Sequence, residues 1–300
     1  MKPFLERIKS GEVLVSDGAM GTMLIGRGLK AGECPESLAL TWPDLLADIT
    51  RMYLDAGADI LETNTFGASP LKLGLYALED KTEQINREAV KITRGVAGER
   101  AYVFACCGPS SALLKPYGDT ESEVISQSYE RQMKALVEEG VDAVILETMT
   151  DLAEATLAVR ALKTVSPSTP MIATMTFDAT PKGFFTTMGV TIEKAAKGLA
   201  EAGADLTGSN CGNGIEAMIW IAQEFRKYTT LPLVFQSNAG VPQMKEGRPV
   251  YSEGPEFMAQ RIPQLAAAGA SIIGGCCGTT PEHIRAIRKA VDSLNRARQV

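Results

Sequence analysis

The chain has 300 residues, 45% apolar and 22% charged, enough to bury a large core and unlike a disordered chain or a small disulfide scaffold. Acidic residues outnumber basic ones by 36 to 30, and the net charge of −6, with no basic cluster interleaved with aromatics, argues against a nucleic-acid surface. The N-terminus lacks an apolar signal segment and no apolar run is long enough to span a bilayer, so a cytoplasmic chain without membrane association is expected.

The first apolar run, Val13-Leu14-Val15, leads to Asp17-Gly18-Ala19. A phrase then recurs. Ala56-Gly57-Ala58-Asp59 precedes Ile60-Leu61-Glu62-Thr63, and Glu139-Gly140-Val141-Asp142 precedes Ala143 to Thr148. Ala202-Gly203-Ala204-Asp205 precedes Leu206 to Asn210, and Ala268-Gly269-Ala270-Ser271 precedes Ile272-Ile273-Gly274-Gly275. Each phrase reads as a helix closed by glycine, which takes the left-handed terminal conformation cheaply, followed by a buried strand. Tyr102 to Ala105, Met171 to Met175 and Pro232 to Phe235 bring the expected strands to eight. Between them, Val124 to Glu139, Leu152 to Lys163, Ile192 to Ala202 and Ile215 to Lys227 carry a 3.6-residue rhythm. Asp151 is placed to cap one helix and Pro281 to open the last.

Eight strand–helix units in this length predict an α/β fold, a single (β/α)8 TIM barrel over residues 1–300. An open doubly wound sheet is the alternative, but Asp17-Gly18-Ala19-Met20-Gly21 lacks the dinucleotide spacing and no phosphate-binding lysine loop is present. A barrel places its chemistry at the C-terminal ends of the strands. Five of the six cysteines fall there: Cys106, Cys107, Cys211, Cys276 and Cys277. The remaining one, Cys34, reads as structural. A single histidine, His283, reads as a surface residue and nearly excludes triad chemistry.

Barrel closure brings the sixth and eighth strands close enough for Cys211, Cys276 and Cys277 to share one ion, and three thiolates with an open fourth position suit zinc. Neighbouring side chains on a regular strand point to opposite faces, so this needs Gly274-Gly275 and Gly278 to release the chain from strand geometry. The same cysteines also read as small buried apolar residues, and spacing alone does not separate the pair at 276–277 from the pair at 106–107. Glu62 and Glu147 each end a buried strand, where a carboxylate needs a partner or a function. Asp17 reads equally as a ligand for an amine or a turn cap. Met171, Met175 and Met188 read as core.

Asp17 to Thr22, Glu62 to Gly67, Asn210-Cys211-Gly212 and Gly274 to Pro281 together resemble the homocysteine S-methyltransferases over nearly the whole chain. Gly108-Pro109-Ser110 and Ser237-Asn238-Ala239-Gly240 are most similar to the homocysteine-binding barrel of the cobalamin-dependent members. The resemblance implies zinc held by Cys211, Cys276 and Cys277, with the sulfur of homocysteine as a further ligand. It implies that Asp17, the backbone of Gly18 and Ala19, and Glu147 bind the amino acid end, and that Asn238 and the Thr63, Thr65 and Phe66 segment complete the pocket. The bound thiolate would then attack a methyl group in line and give methionine. Methylcobalamin, carried by a corrinoid protein or cobalamin domain, is the expected donor. S-methylmethionine, betaine or another thiol acceptor are variants on the same fold. A non-enzymatic zinc- or thiol-sensing module is the alternative of another class. Cys106-Cys107 departs from the family pattern.

Overall fold

A computed structural model describes residues 1–245 and 248–298. The four recurring glycines act as their chemistry dictates: Gly57, Gly140, Gly203 and Gly269 have φ of +98°, +79°, +106° and +104°, and each turns a helix into a strand. The strands are β1 (Leu14–Val15), β2 (Ile60–Glu62), β3 (Tyr102–Cys107), β4 (Ala143–Met149), β5 (Met171–Met175), β6 (Leu206–Asn210), β7 (Leu233–Ser237) and β8 (Ala270–Gly275). They pair in parallel in sequence order from β2 to β8, and β8 pairs with β1. A parallel bridge between Ser16 and Ile60, with the Asp17 amide donating to the Ile60 carbonyl at 3.1 Å, closes β1 onto β2. This is the expected (β/α)8 barrel.

The two-residue period of the strands sorts the core into two compartments. Leu14, Ile60, Phe104, Ile145, Ile172, Val234 and Ile272 fill the barrel interior. Their neighbours Val15, Leu61, Val103, Val144, Ala173, Leu233 and Ile273 pack outward with the surrounding helices. A short helix, Phe4–Lys9, plugs the N-terminal mouth; the Phe4 ring meets Tyr102 and Phe104 edge-on, with centroids 5.9 and 4.9 Å away. Burying one such ring stabilises by about 1.5–3 kcal/mol.

Two steps further along each strand the inward position changes character. Ser16, Glu62, Cys106, Glu147, Thr174, Asn210 and Gln236 follow the apolar layer, and all are buried except Glu62, which is partly so. The floor of the open mouth is therefore a polar ring laid on an apolar plug.

The helices form where the periodicity predicts, at Ser122–Val137, Leu152–Val165, Ile192–Ala202 and Ile215–Arg226. Asp151 caps the second of these, accepting from the Ala153 amide at 2.8 Å, and Pro281 opens the last helix, Pro281–Arg298. Two hairpins at the rim, Asp178–Thr180 with Gly183–Phe185 and Gln243–Lys245 with Arg248–Val250, are additions to the predicted elements. Met171 and Met175 are core, but Met188 lies exposed beyond the first hairpin. His283 is not at the surface: it is buried, with Nε2 3.0 Å from the Glu253 carbonyl oxygen and Nδ1 3.1 Å from the Thr280 amide. Among the described residues no helix is long and apolar enough to cross a membrane.

Candidate metal centre

Cys211 is the first residue past β6 and takes φ of +60°, a left-handed turn that swings its thiol off the strand path. Cys276 and Cys277 follow β8. The Cys276 amide donates to the Ser237 carbonyl at 2.8 Å, the Cys277 carbonyl accepts from the Ala239 amide at 2.9 Å, and Gly278 then turns at φ of +81°. A Cβ on Gly278 would strike the ring of Tyr251, so the turn needs glycine on both counts. The consecutive cysteines thus leave strand geometry, as the flanking glycines predict.

The three sulfurs lie within 4.8 Å of one another, and Cys211 and Cys277 are 3.8 Å apart. Tetrahedral ligation with zinc–sulfur bonds of about 2.3 Å separates two sulfurs by about 3.8 Å. Hydrogen bonds from Cys276 and then Cys277 pull the Cys211 thiol well below the usual range, and the same bonds push Cys276 and Cys277 up. Asn238 Oδ1 is buried without a hydrogen-bond partner, and its side chain helps to lower the Cys211 thiol. A sulfur trio of this spacing beside an unsatisfied oxygen fits a borderline-soft divalent ion such as zinc.

Beside the thiols lies an acidic floor. The Glu62, Cys106 and Glu147 donor atoms lie within 4.8 Å of one another. Cys106 Sγ donates to Glu147 Oε2 at 3.1 Å, and Glu62 Oε1 accepts from Gln236 Nε2 at 2.7 Å and Ser16 Oγ at 3.1 Å. Asp17 Oδ2 accepts from the Glu62 amide at 2.9 Å. Burial raises Glu147 to about 7 and pushes Glu62 and Asp17 well above the carboxylate range, with their mutual repulsion adding to the rise. Burial of this kind favours the protonated carboxyls, or a cation in the protons' place.

Other predicted pocket residues are placed as follows. Thr63 and Thr65 hydroxyls bond each other at 2.5 Å; Thr65 Oγ1 also donates to the Cys106 carbonyl and Thr63 Oγ1 accepts from the Cys106 amide. They brace β3 and are already committed to protein partners. Phe66 is partly exposed and its ring covers Gly108. Gly18 packs so closely on Thr279 and Tyr53 that no side chain fits, and the Ala19 amide donates to Thr279 Oγ1 at 3.2 Å. Cys107 is not on the rim: it points outward into the barrel–helix core. Cys34 is buried against Glu36, with Sγ 3.3 Å from Oε2, a structural placement. One residue that sequence reasoning quoted without a role is Asn210, whose side chain makes hydrogen bonds across three strands.

A closed barrel that gathers three thiols and a ring of carboxyls at the C-terminal ends of its strands defines a (β/α)8-barrel enzyme. The chain belongs to the homocysteine S-methyltransferase family, a methyltransferase family whose model matches residues 14–291. The methionine synthases of Mycobacterium leprae (strain TN) and Mycobacterium tuberculosis (strain ATCC 25618 / H37Rv) are each 34% identical to it, over 302 and 308 residues. Those matches cover 94% and 96% of this chain but 24% and 25% of theirs, so the chain spans about a quarter of the length of these relatives. The homocysteine methyltransferase MmuM from Escherichia coli, in its metallated form, shares the fold with a TM-score of 0.79 over 96% of this chain and 99% of that one, at 23% identity.

Proposed function

We propose that this chain transfers a methyl group to the sulfur of homocysteine, giving methionine, with zinc held by Cys211, Cys276 and Cys277. The convergence of these three thiols carries the reading. Zinc, when bound, supplies the Lewis acidity that lets a thiol enter as its nucleophilic thiolate at neutral pH without a histidine base. The chain's own residues do the rest. Cys211 and the Cys276-Cys277 pair, set on turns fixed by backbone hydrogen bonds, present three sulfurs to one side of the ion. Asn238 Oδ1, buried without a hydrogen-bond partner, accepts from the incoming group. Glu147, with Asp17 behind Glu62, receives the substrate ammonium, which replaces the protons that the buried carboxyls otherwise hold. Gly18, Ala19 and Phe66 form the adjacent wall, and Thr63 and Thr65 support it from behind by bracing β3.

The methyl donor is methylcobalamin, presented by a corrinoid-carrying protein or domain, and the reaction is cytoplasmic. The likeness to methionine synthases favours this donor over S-methylmethionine or betaine. The test is methionine formation from homocysteine and methylcobalamin, run with zinc-loaded and zinc-stripped protein. Cys211→Ala is expected to lose bound zinc and at least a thousandfold in rate, since three ligands are needed to hold the ion. Full activity without zinc overturns the reading, and turnover with betaine or S-methylmethionine alone reassigns the donor.

A further inference from the structure

Glu147 sits on a backbone that its sequence does not favour. β4 breaks register with β5 between Leu146 and Met149, a bulge that re-aims the side chain it carries. Thr148, next in the chain, takes φ of +60°, a left-handed conformation that is costly for a β-branched residue. Such a conformation persists only where its surroundings hold it.

One side chain does so. Asn210 Oδ1 accepts from the Thr148 amide at 2.7 Å and from Thr174 Oγ1 at 2.8 Å, and its Nδ2 donates to Thr148 Oγ1 at 2.8 Å. Asn210 is fully buried and immediately precedes Cys211, and its Nδ2 lies 3.9 Å from Cys276 Sγ. A single amide is thus tied to the strand that aims the acidic floor and belongs to the strand that delivers a thiol.

We propose that Asn210 is a positioning residue that joins the two halves of the site: it holds the Thr148 turn so that Glu147 faces the pocket, and thereby sets the preference for thiols bearing an α-ammonium group. This rests on the reading of Glu147 as the ammonium acceptor. Without Asn210 the turn relaxes toward ordinary strand geometry and the carboxylate leaves its place, while the three sulfurs keep their own backbone anchors.

The test is calorimetric binding of homocysteine and of 4-mercaptobutanoate, which lacks the amino group, to the zinc-loaded full chain. The wild type is expected to prefer homocysteine at least tenfold. Asn210→Ala is expected to cut that preference below threefold while retaining zinc. Thr148→Gly in the Asn210→Ala background is expected to recover part of it, because glycine adopts the left-handed turn freely. Thr174→Val, which removes one hydrogen bond to Asn210, gives a smaller loss of the same sign and decides the matter if Asn210→Ala does not fold. An unchanged preference in Asn210→Ala, or in Thr174→Val when it stands alone, overturns the inference. So does equal weakening of both thiols with loss of zinc. A wild type that binds both thiols equally well instead sinks the reading of Glu147.

Discussion

Cys106-Cys107 and Cys276-Cys277 are the same dipeptide at the C-terminal end of a barrel strand, yet only one pair converges. On β3 the strand stays regular through both residues, so Cys106 turns in toward Glu147 and Cys107 turns out into the helical layer. After β8 the strand stops at Gly275, and both thiols join Cys211. What separates a converging pair from two diverging thiols is the backbone around it: two glycines before the pair and a left-handed glycine after it, against an uninterrupted apolar run.

The largest test of that contrast is Gly278→Ala. It forces a side chain onto a positive-φ position and into the Tyr251 ring. The expected cost is roughly 2–4 kcal/mol, with most of the zinc lost. Metal content and urea unfolding read both, and wild-type values for each would show that the glycine does not hold the turn.

A middle-sized effect concerns the surroundings of the inward member of the other pair. Burial raises Glu147 to about 7 against an ordinary value of 4.5, so the metal-free folded protein holds a proton that the unfolded chain releases. The associated stability is present in full below about pH 4.5 and is lost as pH rises through 7. The substitution Glu147→Gln is therefore expected to flatten the fall in stability between pH 5 and pH 8 by on the order of 2 kcal/mol. Parallel pH profiles for this variant and the wild type would contradict a protonated floor.

The smallest effect belongs to the outward thiol. Cys107→Ala removes one sulfur from a packed core and is expected to cost about 1 kcal/mol, with zinc content and homocysteine binding unchanged. Any loss of zinc there would return Cys107 to the rim.

The barrel was legible because its signals are local: glycine closing a helix before each of four strands, and strand ends carrying Asp17, Glu62, Glu147, Cys211 and Cys276. Topology plus the glycines allowed Cys211 to meet Cys276-Cys277, but spacing left the 106–107 pair equally open, and the family resemblance made the choice. What stayed hidden depends on groups far apart in the chain. The fate of Cys106 and Cys107 turns on whether β3 remains regular, which its residues do not announce. His283 is buried with its ring against the Glu253 carbonyl, from a segment thirty residues away. Asn210 gains its role from a bulge one strand pair away, and Thr148, an ordinary strand residue by propensity, conceals the turn it makes.

The helix Phe4–Lys9 gives the cylinder a stopper at its N-terminal end, opposite the mouth that carries the acidic floor. On the function proposed above, a corrinoid carrier approaches by the same mouth through which anything reaches the acidic floor. On that same proposal, a carrier seated over the opening encloses the guest already inside and bars the next, which orders loading before docking and product escape after undocking.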